Sequence, residues 1–312
     1  MLDTAMLDAT ILGAVLASIV AAATTLLLAS LGELVAERAG TLNLGVEGMM
    51  IVGAAVGYAT AYSSGSLLLG TLAAVLAGAM LSLVFAVLAI WLATNQVASG
   101  LATTILGLGL AGLIGSSFVG TRVDAAPALA IPGLTDLPVI GPALFGQDAF
   151  VYASILLLIA VTWGLARTRA GLVLRAVGEN HAAAHALGHP VRRIRTLAVM
   201  FGGACAGLAG AHLSLAYTPF WASDMTAGRG WIALALVVFS AWRPLWLLGG
   251  AYLFGAVSIL QLHVQGFGLG IPAQLLSSLP YLATIAALVV ISALKRGQGA
   301  PASLGVPFVP DR

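Results

Sequence analysis

The chain has 312 residues, of which 60% are hydrophobic and 8% charged. A soluble domain needs about a quarter of its residues charged to present a wetted surface, so water is excluded as the solvent for most of this chain and membrane lipid is its expected surroundings. The net charge of +2 gives no basic surface of the kind a nucleic acid requires, so no nucleic-acid partner is expected.

A helix crosses the hydrocarbon core with roughly 20 apolar residues. Apolar helical runs are expected at 9–31, 45–63, 67–92, 96–118, 149–166, 194–217, 229–242, 245–265 and 273–294. The reading is an all-α polytopic membrane protein with about nine (8–10) spans, forming a single domain over 1–312. The seventh run is short, which suits a tilted span or a re-entrant half-helix.

The N-terminus ahead of the first run carries Asp3 and Asp8, and no basic residue occurs before Arg38. The positive n-region of a cleavable signal is missing, so the first helix is expected to stay as an anchor. Glu33, Glu37, Arg38 and Glu47 gather around the first interhelical turn, where they are expected to pair with one another. In the fourth run, Gly107, Gly109 and Gly112 match G-x-G-x-x-G. That pattern binds dinucleotides only between a strand and a helix, so here it reads as close helix packing.

Segment 119–148 is expected to be an exterior loop, since Pro127, Pro132, Pro138 and Pro142 forbid a continuous helix. It serves either as a docking loop for an external partner or as a plain lid. The following loop, 167–193, holds Arg167, Arg169, Arg175, Arg192 and Arg193, with Arg195 just beyond and only Glu179 opposing. Basic loops stay cytoplasmic. Counting outward over nine spans places Arg38, Arg243, Lys295 and Arg296 on the same side, with the N-terminus outside and the C-terminus cytoplasmic.

His181, His185 and His189 recur every fourth residue. Such spacing suits a metal, but no cysteine accompanies it and a solvated face is expected, with no metal site. Cys205 is the single cysteine, which excludes an internal disulfide. Gly202, Gly203, Gly207 and Gly210 read as one close-packed helix face. His212 and His263 read as hydrogen-bonded packing residues, because no acidic partner is spaced for them.

No catalytic constellation is present. The only lysine is Lys295, so no Walker A loop exists, and neither H-E-x-x-H nor a G-x-S-x-G triad appears. The chain is expected to be a solute path rather than an enzyme, binding no cofactor itself. Polar residues in the spans are mostly uncharged: Asn43, Asn95, Gln96, Ser99, Thr103, Thr104 and Gln261. Such a lining suits a neutral, hydrogen-bonding solute; interhelical hydrogen bonding accounts for the same residues equally well.

Within the basic loop, Glu179 and Asn180 suit the first turn of a helix. Ala182, Ala183, Ala184 and Ala186 continue it, and Gly188 and Pro190 stop it. A short exposed helix of small residues suits insertion into a groove of another protein. This loop resembles the coupling helix of ABC importer permeases. Three stretches extend the resemblance: Gly32-Glu33 through Glu37-Arg38, Asn43-Leu44-Gly45 and Glu47-Gly48-Met49; then Asn95 through Leu101; then 175–210, ending Gly207-Leu208-Ala209-Gly210. Together they are similar to the permease family shared by branched-chain amino acid, ribose-type sugar and nucleoside importers, most like its nucleoside or simple-sugar branch.

The resemblance implies a type II ABC importer-like permease in a bacterial plasma (inner) membrane. Its partners would be a cytoplasmic ABC ATPase that uses the ATP, a second permease subunit (same or related) and an external solute-binding protein. Arg175, Glu179, Asn180, Ala183, Ala184 and Gly188 would couple it to the ATPase. Asn43, Glu47, Asn95, Gln96 and Ser99 are assigned to the solute path or its gate. The expected solute is a nucleoside. The alternatives are a simple sugar or a branched-chain amino acid, or a different class altogether, an ion-coupled secondary transporter.

Overall fold

The computed structural model describes residues 2–130, 132–135, 137, 139–266 and 299–309, with scattered positions between 272 and 289; side chains are described from residue 11. The regular structure among those residues is helical, with no named strand and only isolated bridges such as Val119 to Trp221 and Arg122 to Phe220.

Helix α1 spans Leu2–Arg38, α2 Val46–Ser64, and α3 Leu67–Ala86 with a π turn at Val87–Trp91. Helix α4 spans Gln96–Gly115 and α5 Ala149–Arg167. Two short helices, α6 (Arg169–Glu179) and α7 (His181–Ala186), precede α8 (Val191–His212), which ends in a π turn at Leu213–Tyr217. Then come α9 (Arg229–Phe239) and α10 (Pro244–Gly266).

The breaks follow local chemistry. Asn95, Asp148, Thr168 and Asn180 each cap the helix that follows, accepting a backbone N–H in its first turn, as short polar side chains do at helix starts. Gly65 ends α2 in the left-handed region at φ +67, which glycine enters without steric cost.

Six described helices are long and apolar enough to cross a membrane: those at Ile11–Arg38, Leu67–Trp91, Gln96–Phe118, Ala149–Arg167, Val191–Tyr217 and Pro244–Gln265. The expectation of nine spans is therefore corrected. The second run forms a 19-residue helix, but Glu47 and the polar tail Tyr62-Ser63-Ser64 dilute its apolarity, and most of it is buried in protein. The seventh forms an 11-residue helix, about 16 Å long at 1.5 Å per residue, half the hydrocarbon thickness. The ninth run, with Lys295 and Arg296, lies outside the described residues apart from isolated positions.

Helix α8 is central, packed against α1, α2 and α3. The contact is made of glycine. A Cβ on Gly203 would run into Ser82 Cβ and one on Gly207 into the Ala74 carbonyl, while on the facing helices a Cβ on Gly53 would meet Gly207 Cα at 2.5 Å. The expected glycine face is present, and it brings backbones into the direct contact that drives helix association in lipid. In α4 the glycines divide. Gly107 lies against Gly48, whereas nothing approaches Gly109 or Gly112 within 4 Å.

His212 corrects one expectation. Its Nδ1 is 2.7 Å from Thr25 Oγ1 and its Nε2 3.8 Å from Asp148 Oδ2. The packing reading stands, but an acidic partner does exist. It comes from the cap of α5, a relation that sequence spacing cannot reveal. Segment 119–148 is not wholly irregular, since it includes a π turn at Gly141–Phe145 and lies against Pro219, Phe220 and Trp221 through backbone pairing.

Candidate functional site

The region with the densest buried polarity is the break between α1 and α2. Just past the end of α1, Gly40 stands at φ +86, and Thr41 N–H returns to the Ala36 carbonyl at 3.1 Å. The chain then folds back beside the helix it has left. Asn43 N–H donates to Glu33 Oε1 at 3.1 Å, and Glu33 sits more than a turn inside the end of α1.

Backbone amides buried at this depth must find partners within the protein. Leu42 N–H donates to Gln96 Oε1 at 2.8 Å, Gly45 N–H to Asn43 Oδ1 at 2.9 Å, and Thr104 Oγ1 to the Leu44 carbonyl at 2.9 Å. Asn43, Gln96 and Thr104, singled out for polarity in apolar runs, are thus the side chains that satisfy the break. Ser99 Oγ lies 2.7 Å from Thr94 Oγ1, and Asn95 is exposed, accepting Ala98 N–H as the cap of α4.

Glu47 is 3% exposed at the start of α2, and it meets the start of α9. Its Oε1 accepts Thr226 Oγ1 at 2.6 Å and Gly228 N–H at 2.9 Å, and its Oε2 accepts Gly230 N–H at 2.6 Å. A carboxylate at the free N–H groups of a helix start satisfies donors that have no intrahelical partner and complements the helix dipole. Gly230 is required by the approach, since a Cβ there would meet Glu47 Cα at 2.5 Å.

The expected mutual pairing of Glu33, Glu37, Arg38 and Glu47 is corrected. Each is held by groups outside the set. Glu37 Oε2 accepts Trp242 Nε1–H at 2.5 Å. Arg38 donates from Nε and Nη2 to the Trp242 carbonyl at 3.1 and 2.8 Å. For Glu37, Arg38 and Glu47 the cause is the region around α9, whose flanks supply Thr226, Gly228 and Trp242 from 179 to 205 residues away in sequence, whereas Glu33 takes Asn43 N–H from ten residues away. Glu33 Oε2 and Glu37 Oε1 are buried with no hydrogen-bond partner among the described residues. Glu37 also lines a groove of about 340 Å³ with Leu42, Leu44, Leu101, Trp231 and Val238.

The basic loop folds onto the same end of the bundle. The Cα of Gly178 lies against the Arg38 carbonyl. Asn180 is the cap of α7, accepting Ala183 N–H at 2.9 Å, and Gly188 ends it at φ +84. Glu179 is the last residue of α6 rather than the first turn of α7, because the chain breaks at the extended Asn180. Arg175 Nε reaches the Gly171 carbonyl at 3.4 Å. Ala183 is exposed, whereas Ala184 is buried against the protein. Leu187, at 79% exposed, stands out beside them.

The histidines are only in part a solvated face: His185 is exposed and His181 and His189 are half-buried. His181 and His185 each present a ring edge-on to Phe308, at 5.4 and 5.2 Å between centroids. Burial, and after it the Arg195 guanidinium, push His181 below its ordinary value. Among the described residues no three His, Cys, Asp or Glu side chains gather as a metal site would require. Sequence reasoning missed Phe308, Trp242 and Thr226. All three act across the fold, and none carries a local signal.

Residues 15–294 match the family model for the branched-chain amino acid transport system permease component. The chain is 44% identical over 291 residues to a putative glucose ABC transporter permease protein of Haloferax volcanii, covering 86% of this chain and 88% of that one. It is 33% identical over 301 residues to the guanosine ABC transporter permease protein of Bacillus subtilis, with 92% and 93% covered. It is 30% identical over 310 residues to the nucleoside ABC transporter permease protein of Lactococcus lactis, with 95% and 96% covered. No solved structure matches the chain significantly.

Proposed function

The chain belongs to the family of branched-chain amino acid transport system permease components, and from that premise we propose that it is the membrane path of an importer for nucleosides. It is an ABC transporter permease subunit, a multi-pass membrane protein and not itself an enzyme. ATP is hydrolysed by a cytoplasmic ATPase partner. A second permease subunit completes the path, and an external solute-binding protein delivers the solute.

The observation that carries the reading is α7. It is a short capped helix with Ala183 facing out and Ala184 anchored inward, a shape suited to a groove on a partner. We assign ATPase coupling to Arg175, Glu179, Asn180, Ala183, Ala184 and Gly188. Asn43, Glu47, Asn95, Gln96 and Ser99 are assigned to the path or its gate. Supporting this, Asn43, Gln96 and Glu47 hold the α1–α2 break and the half-helix α9, and discontinuous helices border solute sites in transporters.

Arg38, Arg195 and Trp242, which precedes Arg243, meet at one end of the bundle, together with the C-terminal segment. That convergence supports a cytoplasmic C-terminus in a bacterial plasma membrane, with the N-terminus outside. A simple sugar is the second reading, favoured by the 44% identity to a protein named for glucose.

The test is uptake of labelled guanosine, glucose and leucine by the assembled complex, with an intact and a hydrolysis-dead ATPase. Guanosine uptake that vanishes with the dead ATPase establishes the reading, and glucose uptake alone replaces the solute. Uptake that survives the dead ATPase and collapses with the proton gradient identifies a secondary carrier.

A further inference from the structure

The C-terminal segment from 299 to 309 is described apart from α10, and it docks against the basic loop. Ser303 N–H donates to the Gly178 carbonyl at 2.9 Å. His181 N–H donates to Ser303 Oγ at 3.3 Å, and Ala302 N–H to Glu179 Oε2 at 3.5 Å. Phe308 is 7% exposed and closes a small apolar cluster with Val177, Ala184 and Val191. Helix α7 has six residues, too few to hold itself in water. Its inner face is supplied by the C-terminal segment, α6 and the start of α8.

Arg195 joins this unit to the α1–α2 break. It is 1% exposed. Its Nε donates to the Ala39 carbonyl at 3.1 Å and its Nη1 to the Val306 carbonyl at 2.9 Å. Its Nη2 lies 3.4 Å from the Ser303 carbonyl and 3.3 Å from His181 Nδ1. One planar fork thus ties the first residue of the break, the C-terminal segment and α7, a task that suits the rigid multidentate guanidinium and not the single ammonium of lysine. Ala39 lies four residues before Asn43, which binds Glu33.

We propose that residues 301–308 are a strut that sets the posture of α7, and that Arg195 is the positioning residue through which displacement of α7 reaches the α1–α2 break. The proposal rests on α7 being the ATPase contact. Only an element whose arrangement both sites bias carries coupling between them, and this cluster is a hydrogen-bonded connection between α7 and the break.

Two readouts test it, in a Cys205→Ala background with a spin label at Leu187→Cys. In the isolated chain, Phe308→Ala and truncation after Leu304 should each mobilise the label. In the complex with its ATPase, Phe308→Ala and Arg195→Lys should leave assembly and ATP hydrolysis in place. Solute moved per ATP should fall about fivefold or more, the lower end of ordinary coupling strengths. Phe308→Leu, which refills the cluster, should recover most of it. A label that stays immobile in both tail variants overturns the strut. A mobilised label with unchanged solute per ATP overturns the coupling role. Failure of the unsubstituted chain to recruit any ATPase sinks the importer reading instead, while the label still reports on the strut.

Discussion

Glu47 Oε2 accepts the backbone N–H of Gly230 at 2.6 Å, so the start of α2 and the start of α9 are held by one carboxylate. Replacing Glu47 by Ala strands that donor with Gly228 N–H and Thr226 Oγ1. Each buried donor left unpaired costs about 1–3 kcal/mol. Glu47→Ala should therefore lower the thermal midpoint in detergent sharply and open Cys205, now buried, to maleimide. Glu47→Gln, with one acceptor oxygen, should fall between. Gly230→Ala should resemble Glu47→Ala, because its methyl would occupy the space of the Glu47 backbone. Unchanged midpoints in Glu47→Ala and Gly230→Ala would refute this account of α9.

The three glycines of α4 should behave differently although they share a motif. A methyl on Gly107 would meet the Gly48 carbonyl at 2.5 Å, with no flexible side chain to yield, while Gly109 and Gly112 face open space. Gly107→Ala should destabilise the bundle by about 1–3 kcal/mol, the ordinary cost of overpacking. Gly109→Ala and Gly112→Ala should be neutral or gain a few tenths of a kcal/mol, since Ala is the better helix former. Melting curves of the three variants check this, and equal losses in all three would contradict the packing.

Asn95 and Gln96 separate a structural role from a path role. Asn95→Ser keeps an oxygen for Ala98 N–H, whereas Asn95→Ala forfeits the cap at a cost of about 1 kcal/mol. If Asn95 lines the path, Asn95→Ser should change solute preference while the melting point holds. Gln96→Ala removes the acceptor of Leu42 N–H and should reduce uptake by loosening the break. Uptake and preference that stay intact in Asn95→Ala and Gln96→Ala would remove both residues from the path.

The sequence made legible what is decided locally. Asn180, the alanines that follow and Gly188 specify α7 within nine residues, and the spacing of Gly202 through Gly210 marks a close-packed face before any neighbour is known. Glu47 shows the limit. Its partners Thr226 and Gly228 are 179 and 181 residues away, so it reads as a charge at an interface until α9 is placed against it. The nine-span count failed on the same ground: apolar runs register composition, which marked the seventh run as short, in keeping with the 11-residue α9, but left no trace of the fold-back at Asn43. Phe308 was equally silent, a lone aromatic in a proline-rich tail whose meaning depends on two histidines from another element.

The contact of His181 with Phe308 should respond to pH. His181 is partly buried and faces the Arg195 guanidinium at 3.3 Å. Both influences, burial first, lower its proton affinity from the ordinary 6.5. The other groups about the docked segment are Glu179, whose carboxylate takes Ala302 N–H, and His185 across the Phe308 ring. The docked state therefore keeps a neutral His181, and the undocked state takes up a proton at the ordinary value. Stability rises with pH wherever the undocked state binds more protons. Docking should be fully present above 6.5 and should weaken as pH falls below it. A spin label at Val309→Cys in the Cys205→Ala background should thus gain mobility between about pH 7 and pH 5, the range in which histidine titrates. His181→Gln, which cannot be protonated there, should flatten the response. A label equally immobile across that range in the His181 chain would show that protonation of this ring does not oppose docking.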